Sequence, residues 1–415
     1  MSVVTKILFS ASIGWLFVFP MFSRGFISIG VTMGSTASAD GALELFVCGR
    51  LCLLGEHSDW AGGFRRQNEG IEKGYCIVAG TNEGLWATVT PNEASRSVFT
   101  MTSTMDTGER RTRSFDLNDR ASLLEEAKAG GFWCHVAGTA HHMVSNFPIV
   151  GNGGITVDNH GTNLPVKKGL SSSAAVCVLV ARAFSRVFNL DLTVRQEMDC
   201  AYNGERTTPS MCGKMDQACA FGPGKLSLLA FDGDDLDVTP IEDVGGHGFH
   251  FVLADLDASK DTVAILRDLQ AAYPRHENIQ KYQRLHELLG EFNAKTAAAA
   301  VDAIARGDAE ELGRVYTRAQ AAFDDRAGDV CPTQLGAAGS PKLRSVINSE
   351  RLRDAGMYGG KGVGSQGDGT VQLLCDGEAG MARCEEVLRE DFGLTHTIRL
   401  VIPPHSSSSS RQEGS

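Results

Sequence analysis

Val166-Lys167-Lys168-Gly169-Leu170-Ser171-Ser172-Ser173-Ala174-Ala175 is a polar turn that feeds straight into a long apolar segment. Gly169 permits a tight backbone path, and Ser171, Ser172 and Ser173 supply hydroxyls where a helix begins. The first-turn amides and dipole of such a helix favour an anion. The stretch from Lys168 through Gly169, Leu170, Ser171, Ser172 and Ser173 therefore reads as a phosphate seat. Its helix is expected from about Ser172 to Phe188, and being apolar nearly all the way round it should lie inside the domain and hold that turn rigidly. An ordinary capped helix carries the same local signal, so other stretches must decide between the two.

The first of these is Gly49-Arg50-Leu51-Cys52-Leu53-Leu54-Gly55-Glu56-His57-Ser58-Asp59-Trp60-Ala61-Gly62-Gly63, which follows a strand expected at Leu43 to Cys48. Glu56, His57 and Asp59 fall between glycines, and clustered carboxylate and imidazole groups suit hydrogen bonding to several hydroxyls at once. A solvated loop would look similar. The second is Cys212-Gly213-Lys214-Met215-Asp216-Gln217, where an isolated aspartate ahead of small residues needs a cationic partner or a function. The third is Gly359 to Gly369, with six glycines in eleven positions, which predicts a loop passing very close to a ligand or, more plainly, a hairpin.

The 415 residues are 42% apolar and 21% charged, ordinary for a globular chain long enough to divide into two domains. A net charge of -11 with no basic stripe argues against a nucleic-acid partner, so anionic ligands must be met locally. The eleven cysteines are odd in number and scattered, without a CxxC pair, which argues against a zinc site and for buried thiols in a reducing, cytoplasmic setting. Residues 1–39 stand apart. Lys6 precedes an apolar run from Ile7 to Phe22, and Ala37-Ser38-Ala39 resembles a cleavage site, so the segment reads as a signal or transit peptide, or as an extension ahead of a start at Met33. In the targeting case the chain would be bound for an organelle. Gly14 and Pro20 argue against a stable membrane span.

Elsewhere, strands are expected at Tyr75 to Ala79, Leu85 to Thr90, Ile155 to Val157, Leu226 to Phe231, His250 to Ala254, Thr370 to Cys375 and His396 to Ile402. Helices are expected at Phe132 to Phe147, in three pieces across Asn278 to Asp325, at Lys342 to Ala355 and at Gly380 to Asp391. His135, His141 and His142 on the first of these read as packed or surface histidines rather than ligands. The acidic, glycine-bearing segment Asp232 to Gly248 divides the chain into domains at 40–240 and 241–403, with a low-complexity tail at 404–415.

Taken together and in order, these stretches resemble the GHMP small-molecule kinases, and the Gly49 to Gly63 and Cys212 to Gln217 segments are most similar to galactokinases. The resemblance implies an α+β, two-domain fold with mixed sheets and an active-site cleft between the domains. It implies an ATP-dependent kinase with magnesium on the nucleotide, acting on the anomeric hydroxyl of galactose or a related monosaccharide. The alternatives are another small alcohol such as mevalonate, or a non-catalytic sugar sensor. By position, Asp216 resembles the general base or orienting carboxylate and Arg50 the cation beside it, a pairing that suits phosphoryl transfer, where positioning and electrostatics dominate. Glu56, His57 and Asp59 match sugar-binding residues, Gly169 to Ser173 with Lys168 the nucleotide loop, and Ser173 with Glu205 the magnesium ligands. The partners implied are a small sugar and ATP, in a monomer or homodimer with no stable membrane association. The ordinary P-loop pattern is absent. Lys167, Lys168, Cys48, Trp60 and the Lys361 to Gly369 run depart from the family's usual residues.

Overall fold

Leu43–Leu54, apolar at most positions, forms strand β1 and pairs antiparallel with β2, Gly74–Asn92. The register slips between Cys48 and Arg50, a bulge that re-aims the side chains beyond it. Gly49 sits at the slip because nothing larger fits: a Cβ there would stand 2.5 Å from Leu164 Cδ1 and 2.9 Å from the carbonyl of Leu170. The next amide, Arg50 N, donates to that carbonyl at 3.1 Å and so ties the arginine stretch to the serine turn.

The computed structural model describes residues 41–92, 96–105, 107–164, 169–210, 212–258, 260–273 and 279–404. The targeting segment read at 1–39, Lys167, Lys168 and nearly all of the 404–415 tail lie outside the described residues.

Where two separate strands are expected between Tyr75 and Thr90, β2 is continuous, because its two halves find different neighbours. Gly74 to Ala79 pair with β6, Leu226–Asp232, and Leu85 to Asn92 with β5, Gly154–Thr162, while β1 pairs along both. With β3 (Val98–Thr104), β4 (Arg110–Asp116) and β7 (Asp235–Pro240) the order is β4-β3-β5-β2-β6-β7, antiparallel except for β3 beside β5. Helices α2 (Arg120–Ala129), α3 (Cys134–Asn146), α4 (Ser172–Val187) and α5 (Val194–Glu205) pack together, and α4 lies directly on β1 and β2. Ala174, Ala175 and Cys177 to Ala181 are wholly buried, which fixes the start of α4 in space.

The second sheet, in the order β11-β8-β10-β9, is antiparallel throughout: β8 is Phe249–Asp255, β9 Met357–Gly362, β10 Thr370–Cys375 and β11 Thr397–Ile402. Between β8 and β9 run α6 (Thr262–Ala272), α7 (Gln280–Glu287), α8 (Asn293–Arg306) and α9 (Ala309–Arg326). Non-helical backbone at Gly290 interrupts the passage from α7 to α8, and Asp308 caps α9 through Glu311 N at 2.9 Å. The single helix expected at Lys342 to Ala355 is two, α10 (Pro341–Ile347) and α11 (Glu350–Asp354), because the Ser349 hydroxyl accepts from Leu352 N and starts a new helix. Helix α12, Glu378–Phe392, precedes β11.

The glycine stretch is only half loop. Gly359, Gly360 and Gly362 lie within β9 and Gly364, Gly367 and Gly369 in the connection to β10. The strand glycines serve packing: a Cβ on Gly359 would overlap the carbonyl of Gly313 in α9. The two sheets share one apolar core, in which Phe251, Val301, Tyr316 and Val363 join residues of the first sheet. Polar ties reinforce the seam. Asn293 exchanges two 2.9 Å hydrogen bonds with the backbone of Tyr75, and Gln372 Nε2 donates to the carbonyl of Cys52 at 2.8 Å. Among the described residues no helix is long and apolar enough to cross a membrane.

Candidate active site

The serine turn opens α4 in an unusual way. Gly169 and Ser171 both have positive φ, +79° and +59°, and Ser171 makes no side-chain cap although capping hydroxyls are the expectation. Its hydroxyl is buried and has no partner among the described residues. The left-handed backbone at Ser171 turns the chain so that the first-turn N–H groups of α4 are left for a ligand, an anion site worth about 0.3–1 kcal/mol from the helix dipole alone. A Cβ on Gly169 would lie 2.9 Å from Val363 Cγ1, so the glycine turn after β9 comes directly against the serine turn.

Arg50, just past the β1 bulge, forms an ion pair with Asp216, the first residue of a 3₁₀ turn at Asp216–Phe221 that packs on α4 and α5. The arginine side chain is 3% exposed and the aspartate 26%, so the carboxylate faces the open side and the guanidinium lies beneath it. Arg50 Nε and Nη1 are buried without partners among the described residues. Asp59 is on the short helix α1, Ser58–Gly63, and lies against Gly213, where any Cβ would overlap its Oδ2. Burial, reinforced by the negative charge of Asp216, pushes the Asp59 carboxyl up to about 6. Glu205, at the end of α5, is almost fully buried: Gln217 Nε2 donates to it at 2.7 Å, Ser210 Oγ lies 3.5 Å from Oε1, and Ser173 also hydrogen-bonds it. Burial and the nearby charge of Asp216 raise its carboxyl to about 7. The structure thus brings Gly169, Leu170, Ser171 and Ser173 at the helix tip together with Arg50, Asp59, Asp216 and Glu205.

Residues 135–223, which contain the serine turn, Glu205 and Asp216, match the family model for the GHMP kinases N terminal domain. That segment carries the N-terminal domain of the GHMP kinase family. Members of this family are phosphotransferases with alcohol acceptors. The fold is that of GHMP kinases throughout. A Lactococcus lactis galactokinase complexed with galactose matches at a TM-score of 0.64 and 17% identity over 88% of this chain and 94% of that one. An L. major mevalonate kinase in complex with R-mevalonate matches at 0.62 and 17% over 88% and 97%. A D-glycero-D-manno-heptose 1-phosphate kinase from Bacteriodes thetaiotaomicron matches at 0.52 and 19% over 87% and 97%.

Two of the expected sugar-binding residues have other partners. Glu56 forms an ion pair with Lys361 of β9, with both side chains at most 3% exposed. Freeing a group from a buried ion pair costs about 3–5 kcal/mol, more than the roughly 1.5–3 kcal/mol that one hydrogen bond to a charged group contributes. His57, at φ +70°, is committed at both ring nitrogens. Trp60 Nε1 donates to its Nδ1 at 3.1 Å, which leaves Nε2 as the protonated nitrogen facing the carbonyl of Ser365 at 3.3 Å. The ring also stacks on Phe323, and burial pushes its pKa down to about 4. Lys361 escapes sequence reasoning because its partner is 305 residues away; the one signal was a lysine inside a glycine run. Lys168 lies outside the described residues.

The residues fit a nucleotide with magnesium. The orphaned Ser171 hydroxyl and open α4 amides suit phosphate oxygens, and the Ser173 hydroxyl beside the Glu205 carboxylate offers hard oxygen donors. Among the described residues no group of three or more His, Cys, Asp or Glu side chains is placed to hold a metal. Magnesium on a nucleotide needs only one or two protein ligands, the phosphates and water supplying the rest.

Proposed function

We propose that this protein is an ATP-dependent sugar kinase that phosphorylates the anomeric hydroxyl of galactose or a related monosaccharide. One observation carries the reading: the Arg50–Asp216 pair sits beside the open tip of α4, to whose turn Arg50 is hydrogen-bonded through its own amide. The helix tip, from Gly169 to Ser173, would hold the nucleotide's phosphates through backbone N–H groups and the Ser171 hydroxyl. Ser173 and Glu205 would hold magnesium. When bound, magnesium and ATP supply the transferable phosphoryl group and offset its charge.

Asp216 faces the acceptor hydroxyl, orients it and takes its proton at the carboxylate as transfer proceeds. Arg50 fixes that carboxylate from below and adds positive charge under the site. Asp59 accepts a hydrogen bond from a neighbouring hydroxyl of the acceptor. The cleft lies between a domain of residues 40–240 and one of 241–403, where the serine turn meets the glycine turn. The reading is tested by transfer from ATP to a panel of galactose, arabinose, fucose, uronic acids, mevalonate and homoserine. Transfer to a sugar is expected; transfer to mevalonate or homoserine and to no sugar would overturn the substrate class. Sugar binding without any transfer would favour a sensor.

A further inference from the structure

Glu56 lies just beyond β1 and Lys361 within β9, so their ion pair joins the two sheets. Besides Glu56 Oε1, the ammonium donates to the carbonyl of Gly362 at 2.8 Å. The strand that carries the lysine is itself held. Gly362 N donates to Gln320 Oε1 at 2.8 Å, and Gln320 Nε2 donates to Asp324 at 2.8 Å, which anchors β9 to α9. A cavity of about 50 Å3 adjoins the pair, bounded by Gly55, Phe323 and Gln366, and the side-chain oxygen of Gln366 is buried without a partner among the described residues. Room and an unmet acceptor exist there, but the carboxylate is occupied.

We propose that Lys361 is a specificity-determining residue, which withdraws Glu56 from acceptor recognition so that the site takes a compact polyol with fewer of its hydroxyls read by the protein. The inference rests on the sugar-kinase reading. Glu56, His57 and Asp59 form one turn, yet Glu56 is neutralised by the lysine and both nitrogens of His57 are engaged, by Trp60 and Ser365. Asp59 is left as the carboxylate beside Asp216 that can accept from an acceptor hydroxyl. Selectivity follows from this arithmetic of partners. A hydroxyl on the side of Glu56 gains nothing that would repay separating two buried charges, so its loss from the acceptor goes unnoticed.

The test uses the full-length protein, the best acceptor of the sugar panel and that sugar's monodeoxy derivatives. Replacing Lys361→Met should release Glu56. At least one monodeoxy derivative is then expected to fall tenfold or more in kcat/KM relative to the parent sugar, compared with the same ratio in the unsubstituted protein. The change should appear in KM for the acceptor, with kcat and KM for MgATP within about threefold. Lys361→Arg, which keeps a cation on Glu56, is expected to retain the original ranking. Where Lys361→Met fails to fold, as judged by thermal melting and MgATP binding, the Glu56→Gln/Lys361→Met protein, without either charge, carries the same expectation of re-ranking. A folded variant that ranks the derivatives as before overturns the role of Lys361 and leaves the kinase reading standing. Absence of transfer from the unsubstituted protein to any sugar overturns the kinase reading, and this inference with it.

Discussion

The guanidinium of Arg50 is paired with the carboxylate of Asp216 across 166 residues of chain, the arginine almost wholly buried and the aspartate partly exposed. On the proposed reading, Arg50 acts on the reaction through the aspartate it holds. The β1 bulge at Gly49 aims Arg50, and the amide of Arg50 bonds the serine turn, so one backbone irregularity couples the cation to the anion seat.

Arg50→Lys should therefore behave as a disruptive change although it keeps the charge. A lysine lacks the planar fork that fixes the carboxylate. A fall in kcat of about 10²-fold is expected, in line with loss of one preorganised electrostatic group, while KM for ATP changes by less than about threefold. Steady-state kinetics check both; unaltered kcat would show that the aspartate needs no such support.

Gly169→Ala should weaken nucleotide binding. The position has φ +79° and a Cβ would press on Val363. Left-handed backbone costs a non-glycine residue about 1–2 kcal/mol, so a rise of about tenfold in the dissociation constant for MgATP is expected by calorimetry, with little change in acceptor affinity.

Gly213→Ala should have the opposite signature. Its new methyl would displace the Asp59 carboxylate, so KM for the acceptor is expected to rise about tenfold or more, the loss of roughly one charged hydrogen bond, while MgATP affinity is retained. Equal effects on both ligands would argue against a role for Asp59 on the acceptor side.

Two buried groups give opposing pH signatures. His57 titrates near 4 in the folded protein against an ordinary 6.5, so between those values the unfolded chain binds the extra proton and stability is lost as pH falls. Asp59 titrates near 6 against an ordinary 3.8, so the folded state holds the extra proton, and its contribution, full below pH 3.8, is lost as pH rises towards 6. Urea midpoints measured from pH 4 to 7 should therefore show a steeper acid loss in Asp59→Asn than in the parent, and a shallower one in His57→Gln. The same slope in all three proteins would mean that neither group is buried as described.

Much of this fold was legible because its signals are local. The apolar run after Ser173 is α4, and Gly169 marks the tight backbone path expected of it. The isolated Asp216 advertised its need for a cationic partner or a function, and the resemblance to the GHMP kinases pointed to Arg50 as that cation. What sequence could not give were features decided by distant partners. The continuity of β2 depends on a change of neighbour from β6 to β5, and the strand glycines of β9 on the closeness of α9. The withdrawal of Glu56 depends on a lysine from the other sheet. Ser171 looked like a cap by composition, whereas its positive φ turns the hydroxyl away from that use.

The most direct test of the account compares phosphoryl transfer from γ-labelled ATP to the best sugar acceptor by the unsubstituted protein and by Asp216→Ala, with MgATP binding measured alongside. The expected result is transfer by the former and a loss of about 10²–10⁴-fold in turnover by the latter, with MgATP affinity unchanged within about threefold. Normal turnover by Asp216→Ala would contradict the placement of that carboxylate at the reacting hydroxyl.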